Sequence, residues 1–142
     1  MKTRNAENSL KILVDSSAWL AAIDDAHPLH RKYWHEINSI RQAKSCVVGD
    51  YALRELSRRG KKSKLEIKLN SLIWALRSDK DTIVIRTSSE DEDDAWKLYQ
   101  ILRDKNITFS HCLSIILVQR YKILRIVHSD ANLRLMINKY HL

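Results

Sequence analysis

The sequence predicts an α/β domain of three layers, a central parallel sheet of about four strands with helices on both faces. Three observations carry that expectation. Ile12-Leu13-Val14 and Cys46-Val47-Val48 are apolar runs without polar alternation, so both of their faces need cover, as in the buried strands of a parallel sheet. Such runs alternate along the chain with stretches whose apolar residues recur every three or four positions, the order that βαβ units produce. Two Gly and one Pro in 142 residues leave little sequence for long connections. The length suits one domain, expected over 11–142 behind a short polar tail at 1–10.

In chain order, the first strand ends on Asp15 and runs into a helix over about Ala18 to Ile23, with Ser16 or Ser17 able to cap it. A loop, Asp24 to His27, leads to Pro28 at the first position of a second helix, whose stripe is Leu29, Tyr33, Ile37 and Ile40. The second strand, Cys46-Val47-Val48, is bounded by Gly49 and Asp50 and followed by a helix carrying Leu53, Glu55 and Leu56. Leu65, Leu69, Leu72, Ile73 and Leu76 mark a long amphipathic helix with Trp74 as added packing. Thr82 to Ile85 reads as a third strand. Ser89 with Glu92 fits a capping box for a helix through Ala95, Leu98 and Leu102 to about Asn106, its acidic first turn expected to be solvated. An apolar helix from His111 to Tyr121, capped by Ser110, precedes a fourth strand at Leu124 to Val127. A last helix carries Leu133, Met136 and Ile137.

A formal net charge of +8 and a pI near 9.6 favour a polyanionic partner such as nucleic acid, or an acidic protein. The cations concentrate at Arg58, Arg59, Lys61, Lys62 and Lys64, five in seven residues, a turn suited to a phosphate backbone, although solvated helix ends share the pattern. Cys46 and Cys112 lack metal-ligand spacing and read as small core residues of a reduced compartment, so a cytoplasmic protein is expected. No apolar run approaches the ~20 residues that span a bilayer, and the polar opening lacks the apolar core of an export signal, so no membrane association is expected.

The chemistry concentrates in carboxylates. Right-handed crossovers bring the carboxyl ends of parallel strands to one edge, so Asp15 after the first strand and Asp130 after the fourth should share it. Glu55, beside the buried stripe of its helix, and the helix start at Ser110-His111 can reach the same crevice. Gathered carboxylates repel, and a hard divalent cation such as Mg²⁺ or Mn²⁺ is the usual remedy. Each acid also has a plain explanation: Asp15 as a turn or cap residue, Glu55 as a rim glutamate paired with Arg54, Arg58 or Arg59.

Over about Lys11 to Met136 the chain resembles the PIN-domain nucleases, typified by the VapC-type toxins of bacterial toxin–antitoxin pairs. The resemblance lies in the order of four motifs: Ile12-Leu13-Val14-Asp15-Ser16-Ser17, then Tyr51-Ala52-Leu53-Arg54-Glu55-Leu56, then Phe109-Ser110-His111-Cys112-Leu113-Ser114, then Ile126-Val127-His128-Ser129-Asp130. It implies a PIN-like fold and a metal-dependent endoribonuclease in which Asp15, Glu55 and Asp130 hold Mg²⁺ or Mn²⁺, supported by Ser16 and His128. It also implies RNA as substrate, a small antitoxin protein as partner, and a homodimer. Two positions depart from the family. His111 stands where an aspartate is usual, and His128 where threonine or serine usually precedes the last acid by two residues. An imidazole suits Mn²⁺ better than Mg²⁺, so His111 is expected either as a surrogate ligand or as the mark of a catalytically impaired RNA-binding or regulatory relative. A protein-binding module using the basic face is a third reading.

Overall fold

The computed structural model describes residues 10–103 and 106–140; the expected tail lies outside them except for Leu10. The elements follow as β1 (Ile12–Val14), α1 (Ser16–Ile23), α2 (His30–Gln42), β2 (Cys46–Gly49), α3 (Asp50–Gly60), α4 (Glu66–Ser78), β3 (Ile83–Ile85), α5 (Ser89–Leu102), α6 (Phe109–Arg120), β4 (Arg125–Val127) and α7 (Ala131–Tyr140). All strand pairs are parallel, in the order β3-β2-β1-β4. The register sets Ile12 beside Cys46 and Arg125, and Val14 beside Val127.

Successive strand residues point to opposite faces, and here the alternation divides the core. Val14, Cys46, Val48 and Val127 join one apolar cluster with Ala18 and Trp19 of α1, Ile37 of α2, Leu56 of α3 and Leu69 of α4. Leu13, Val47 and Ile85 join another with Ala95 of α5 and Leu113 and Leu117 of α6. A third cluster, with Leu133 and Met136, seats α7 against Leu102 and Ile115. The three-layer α/β/α expectation is therefore met, and Cys46 and Cys112 are buried free thiols, each pushed up to about 11 by burial. No helix among the described residues is long and apolar enough to cross a membrane.

Several local expectations are corrected. Asp15, not a serine, caps α1: Ser16 is already helical, and the Asp15 carboxylate accepts the Ser17 N–H. Pro28 lies in a turn and α2 starts at His30, because the fixed φ of proline serves a turn as well as a first helical position, and Leu29 is exposed. The capping box of α5 is Ser88 with Asp91, one residue earlier than read, and α5 ends at Leu102. Thr108 caps α6 in place of Ser110. Trp74 is 69% exposed and packs into no core.

Candidate active site

Parallel pairing places the carboxyl ends of the strands along one edge, in the spatial order Arg86, Asp50, Asp15, His128 as the residues following β3, β2, β1 and β4. The Asp15 N–H bonds the Val127 carbonyl at 2.9 Å, carrying the β1–β4 ladder one residue past the strand. Its backbone stays extended before the helix begins, the conformation of an N-cap. Only 5% exposed, Asp15 accepts through Oδ2 from both the N–H (3.1 Å) and the hydroxyl (2.7 Å) of Ser17.

Ser17 links the two strand ends. While donating to Asp15, its Oγ accepts the Ser129 N–H at 2.9 Å, and the Ser129 hydroxyl returns a bond to the Ser17 carbonyl at 3.1 Å. These bonds tie the residue before Asp130 to the start of α1. The Oδ1 of Asp130 accepts the Leu133 N–H at 2.9 Å, capping α7, and its Oδ2 lies 3.2 Å from His111 Nε2. Glu55 enters from α3, where Oε1 accepts the Ser16 hydroxyl at 2.7 Å and lies 4.0 Å from Arg59. Beneath this edge Tyr51 bonds Ser114 at 2.6 Å. A Cβ on Gly49 would stand 2.2 Å from the Tyr51 ring, so glycine leaves the room that the ring occupies. Burial pushes the Tyr51 phenol far up, and Asp15, Asp50 and Glu55 add to the effect.

The two histidines have different partners. Burial lowers His128 below the ordinary imidazole value, outweighing the opposite pull of Asp15 and Asp130, while Arg134 also lowers it. Its Nδ1 accepts the Asp130 N–H at 3.3 Å, and its carbonyl accepts the Tyr33 hydroxyl at 2.6 Å. His111 is the third helical residue of α6, where its Nδ1 accepts the Thr108 N–H at 3.3 Å and completes the capping box. That acceptor role puts the proton of the neutral ring on Nε2, which faces Asp130. In this arrangement His111 is a donor to a carboxylate, and its lone pair is engaged by the backbone.

The carboxylates of Asp15, Glu55 and Asp130 supply the hard oxygens that Mg²⁺ or Mn²⁺ takes. Among the described residues, however, no group of three or more His, Cys, Asp or Glu is gathered so as to hold a metal ion. Each carboxylate engages a nearby hydroxyl, N–H or imidazole. The donor types fit a hard cation; the His111 ring, as oriented, does not add to them.

The basic turn meets the acids through Arg59, 4.0 Å from Glu55, and otherwise runs away from the strand edge. Arg58 and Arg59 lie in the last turn of α3 and Lys61, Lys62 and Lys64 follow it, whereas α3 starts at the strand edge with Asp50. Eleven residues at about 1.5 Å each put some 16 Å of helix between its ends. Sequence reasoning gave Ser17 only a capping role and gave Ser129 and Thr108 none. Their positions beside the acids were visible, but a serine bonding across from one strand end to another has no sequence signature.

No family model matches the chain, and no curated protein sequence matches it. Among solved structures, the crystal structure of Mycobacterium tuberculosis VapC20, described as a toxin that cleaves the sarcin–ricin loop, superposes with a TM-score of 0.76 at 16% identity. The match covers 89% of this chain and 95% of that one. With its four parallel strands, seven described helices and this overlay, the chain has a three-layer, PIN-like fold shared with that structure.

Proposed function

We propose that the protein is an endoribonuclease of PIN-domain type that hydrolyses RNA phosphodiesters, acting as the toxin of a toxin–antitoxin pair. The observation that carries this reading is the linked set at the sheet edge, Asp15–Ser17–Ser129–Asp130 with Glu55 on Ser16, on a fold shared with an RNA-cleaving toxin. Asp15, Glu55 and Asp130 are the residues that would hold Mg²⁺ or Mn²⁺, which supplies an activated water and offsets charge on the phosphate. Ser17 fixes the rotamer of Asp15, Ser16 that of Glu55, and the start of α7 that of Asp130, so the acids are held in place before substrate arrives. Ser16 and His128 support the site, His128 as a neutral ring that adds no positive charge to it. RNA, a small antitoxin protein, a second copy of the chain and a cytoplasmic location complete the reading, and the exposed cations of residues 58 to 64 suit RNA or antitoxin.

The second reading is a catalytically impaired, RNA-binding relative. The contact of His111 with Asp130 favours it, because it places a donor where the related nucleases place a third acid. Purified protein incubated with RNA in Mg²⁺, Mn²⁺ or EDTA separates the two. Cleavage that needs a divalent ion and disappears in Asp15→Asn, Glu55→Gln and Asp130→Asn, with RNA binding retained, supports the nuclease. Metal-independent binding without cleavage in the wild type establishes the second reading.

A further inference from the structure

A groove of about 600 Å³ outside the acid set lies between α3, α4 and the edge strand β3. Arg54, Arg77 and Arg86 line it together with Trp74, Asn70 and a single acid, Asp50. All three arginines are exposed. Arg54 lies 3.5 Å from Asp50, and Arg77 lies 5.7 Å from the centre of the Trp74 ring. Arg86 has no ion pair among the described residues and stands immediately after β3, at the same edge of the sheet as Asp15 and Asp130. None of these residues belongs to the basic turn over 58 to 64.

Guanidinium forks match phosphate oxygens, and an exposed indole offers a platform on which any base can stack. A net cationic groove combining both suits single-stranded nucleic acid, in which every unit carries a phosphate and a flat base, better than an acidic peptide, whose charged side chains carry no ring. Position strengthens the match. β3 and β1 are separated by two strand spacings of about 4.8 Å each, so a strand lying across the carboxyl edge passes from Arg86 over Asp50 to Asp15 within roughly 10 Å.

We propose that this groove is the single-stranded RNA track of the protein: Arg54, Arg77 and Arg86 take consecutive phosphates and Trp74 stacks a base, leading the chain toward the acids at β1 and β4. The assignment deepens the nuclease reading and rests on it for the direction of the track. It moves the main RNA contacts away from Lys61, Lys62 and Lys64.

Binding is measured by fluorescence anisotropy on the full chain with a fluorescein-labelled oligouridylate, in EDTA, over a range of salt. Each phosphate contact on a single strand contributes about 0.7 to the slope of log K against log salt, so the combined Arg54→Gln, Arg77→Gln, Arg86→Gln variant should lose about two units of slope. Trp74→Ala should weaken binding about 5- to 150-fold, with Trp74→Phe recovering most of it. Replacing Lys61, Lys62 and Lys64 with Gln should leave the slope near that of the wild type. An unchanged slope in the triple arginine variant overturns the proposal, as does polyglutamate competing as well as RNA with no dependence on Trp74, which would make the groove a protein-docking site. Wild-type protein that loses binding as described in these variants, yet never cleaves RNA with any metal, removes the nuclease reading and leaves the groove assigned. Cleavage that persists with unaltered binding in the triple variant removes the groove and leaves the nuclease.

Discussion

Two groups of acids in this molecule end in opposite conditions. Glu90, Asp91 and Asp94 open α5, and Arg120 at the end of α6 reaches all three. Asp91 is wholly buried, closes the capping box with Ser88 and meets the guanidinium directly. Burial alone would raise its pKa, but the Ser88 N–H and hydroxyl and the Arg120 guanidinium hold its carboxyl below the ordinary range. Asp15, Glu55 and Asp130 instead face serine hydroxyls, backbone N–H groups and the neutral-capable ring of His111, with Arg59 only at 4.0 Å from Glu55. A carboxylate answered by arginine is charge-neutral and structural. One held by hydroxyls and backbone N–H groups has a fixed rotamer and no guanidinium laid against it, which leaves its oxygens for a cation or a reacting water.

The sharpest break between the two groups comes from removing charge while keeping shape. Asn caps a helix as well as Asp, so Asp15→Asn should leave the melting temperature nearly unchanged while lowering RNA cleavage at least about 100-fold, given that metal-centred charge stabilisation is worth several kcal/mol. Equal loss of fold and activity would return Asp15 to a capping role alone.

The converse is expected at α5. Asp91→Ala removes a buried acceptor and half of a capping box, so urea unfolding should show a loss of about 1–3 kcal/mol with cleavage per folded molecule intact. A stable Asp91→Ala protein would mean that Asp94 and Glu90 alone suffice for Arg120.

A smaller effect, about tenfold, is expected from His111→Asp. Aspartate can still accept the Thr108 N–H at this third helical position, but it frees Asp130 from a donor and adds a hard oxygen. Mg²⁺-supported cleavage should rise, read as initial rates in Mg²⁺ against Mn²⁺, and His111→Ala should lower Mn²⁺-supported cleavage if the ring turns to ligate. A fall in Mg²⁺-supported rate with His111→Asp would show that the imidazole donor is needed where it is.

Smallest of all is a two-step acid profile. His128 is lowered in the fold, so the neutral ring is favoured there; its contribution is complete above about 6.5 and is lost as pH falls from that value through the folded pKa. Asp91 is lowered as well, and as a carboxylate it contributes above about 4 and loses that contribution only below it. Asp79, held at about 2 by Thr82, Asp81 and Arg41, titrates with that lower step. Melting temperature followed from neutral to acid pH should show the upper step vanish in His128→Gln and the lower one shrink in Asp91→Asn. One step common to both variants would remove the distinction.

Much of this was legible from local pattern. Strands at Ile12, Cys46 and Ile83, the buried faces of α2 and α3, and the aspartates after β1 and β4 follow from period, burial and parallel topology. Cap positions slipped by one or two residues because Ser88-Ser89-Glu90-Asp91-Glu92 and Thr108-Phe109-Ser110-His111 each contain two frames with the same chemistry. In the frames adopted, Asp91 meets Arg120 and His111 faces Asp130, partners that lie far along the chain. Trp74 misled for a related reason: a tryptophan beside an apolar stripe reads as packing, whereas its exposure depends on which helices lie alongside.

By itself the sequence determined the alternation of β and α elements, and with it the single sheet edge to which Asp15 and Asp130 must come, because apolar period and right-handed crossovers are properties of the local chain. The tertiary structure decided which donors answer each acid: Ser17 and Ser129 at the edge, Arg120 at α5, and His111 turned toward Asp130. It also brought Arg54, Arg77 and Arg86 from three elements to one groove. The physical reason is that electrostatic and hydrogen-bond partners are fixed by distances of a few ångströms between residues up to 112 positions apart, and no spacing along the chain encodes such distances.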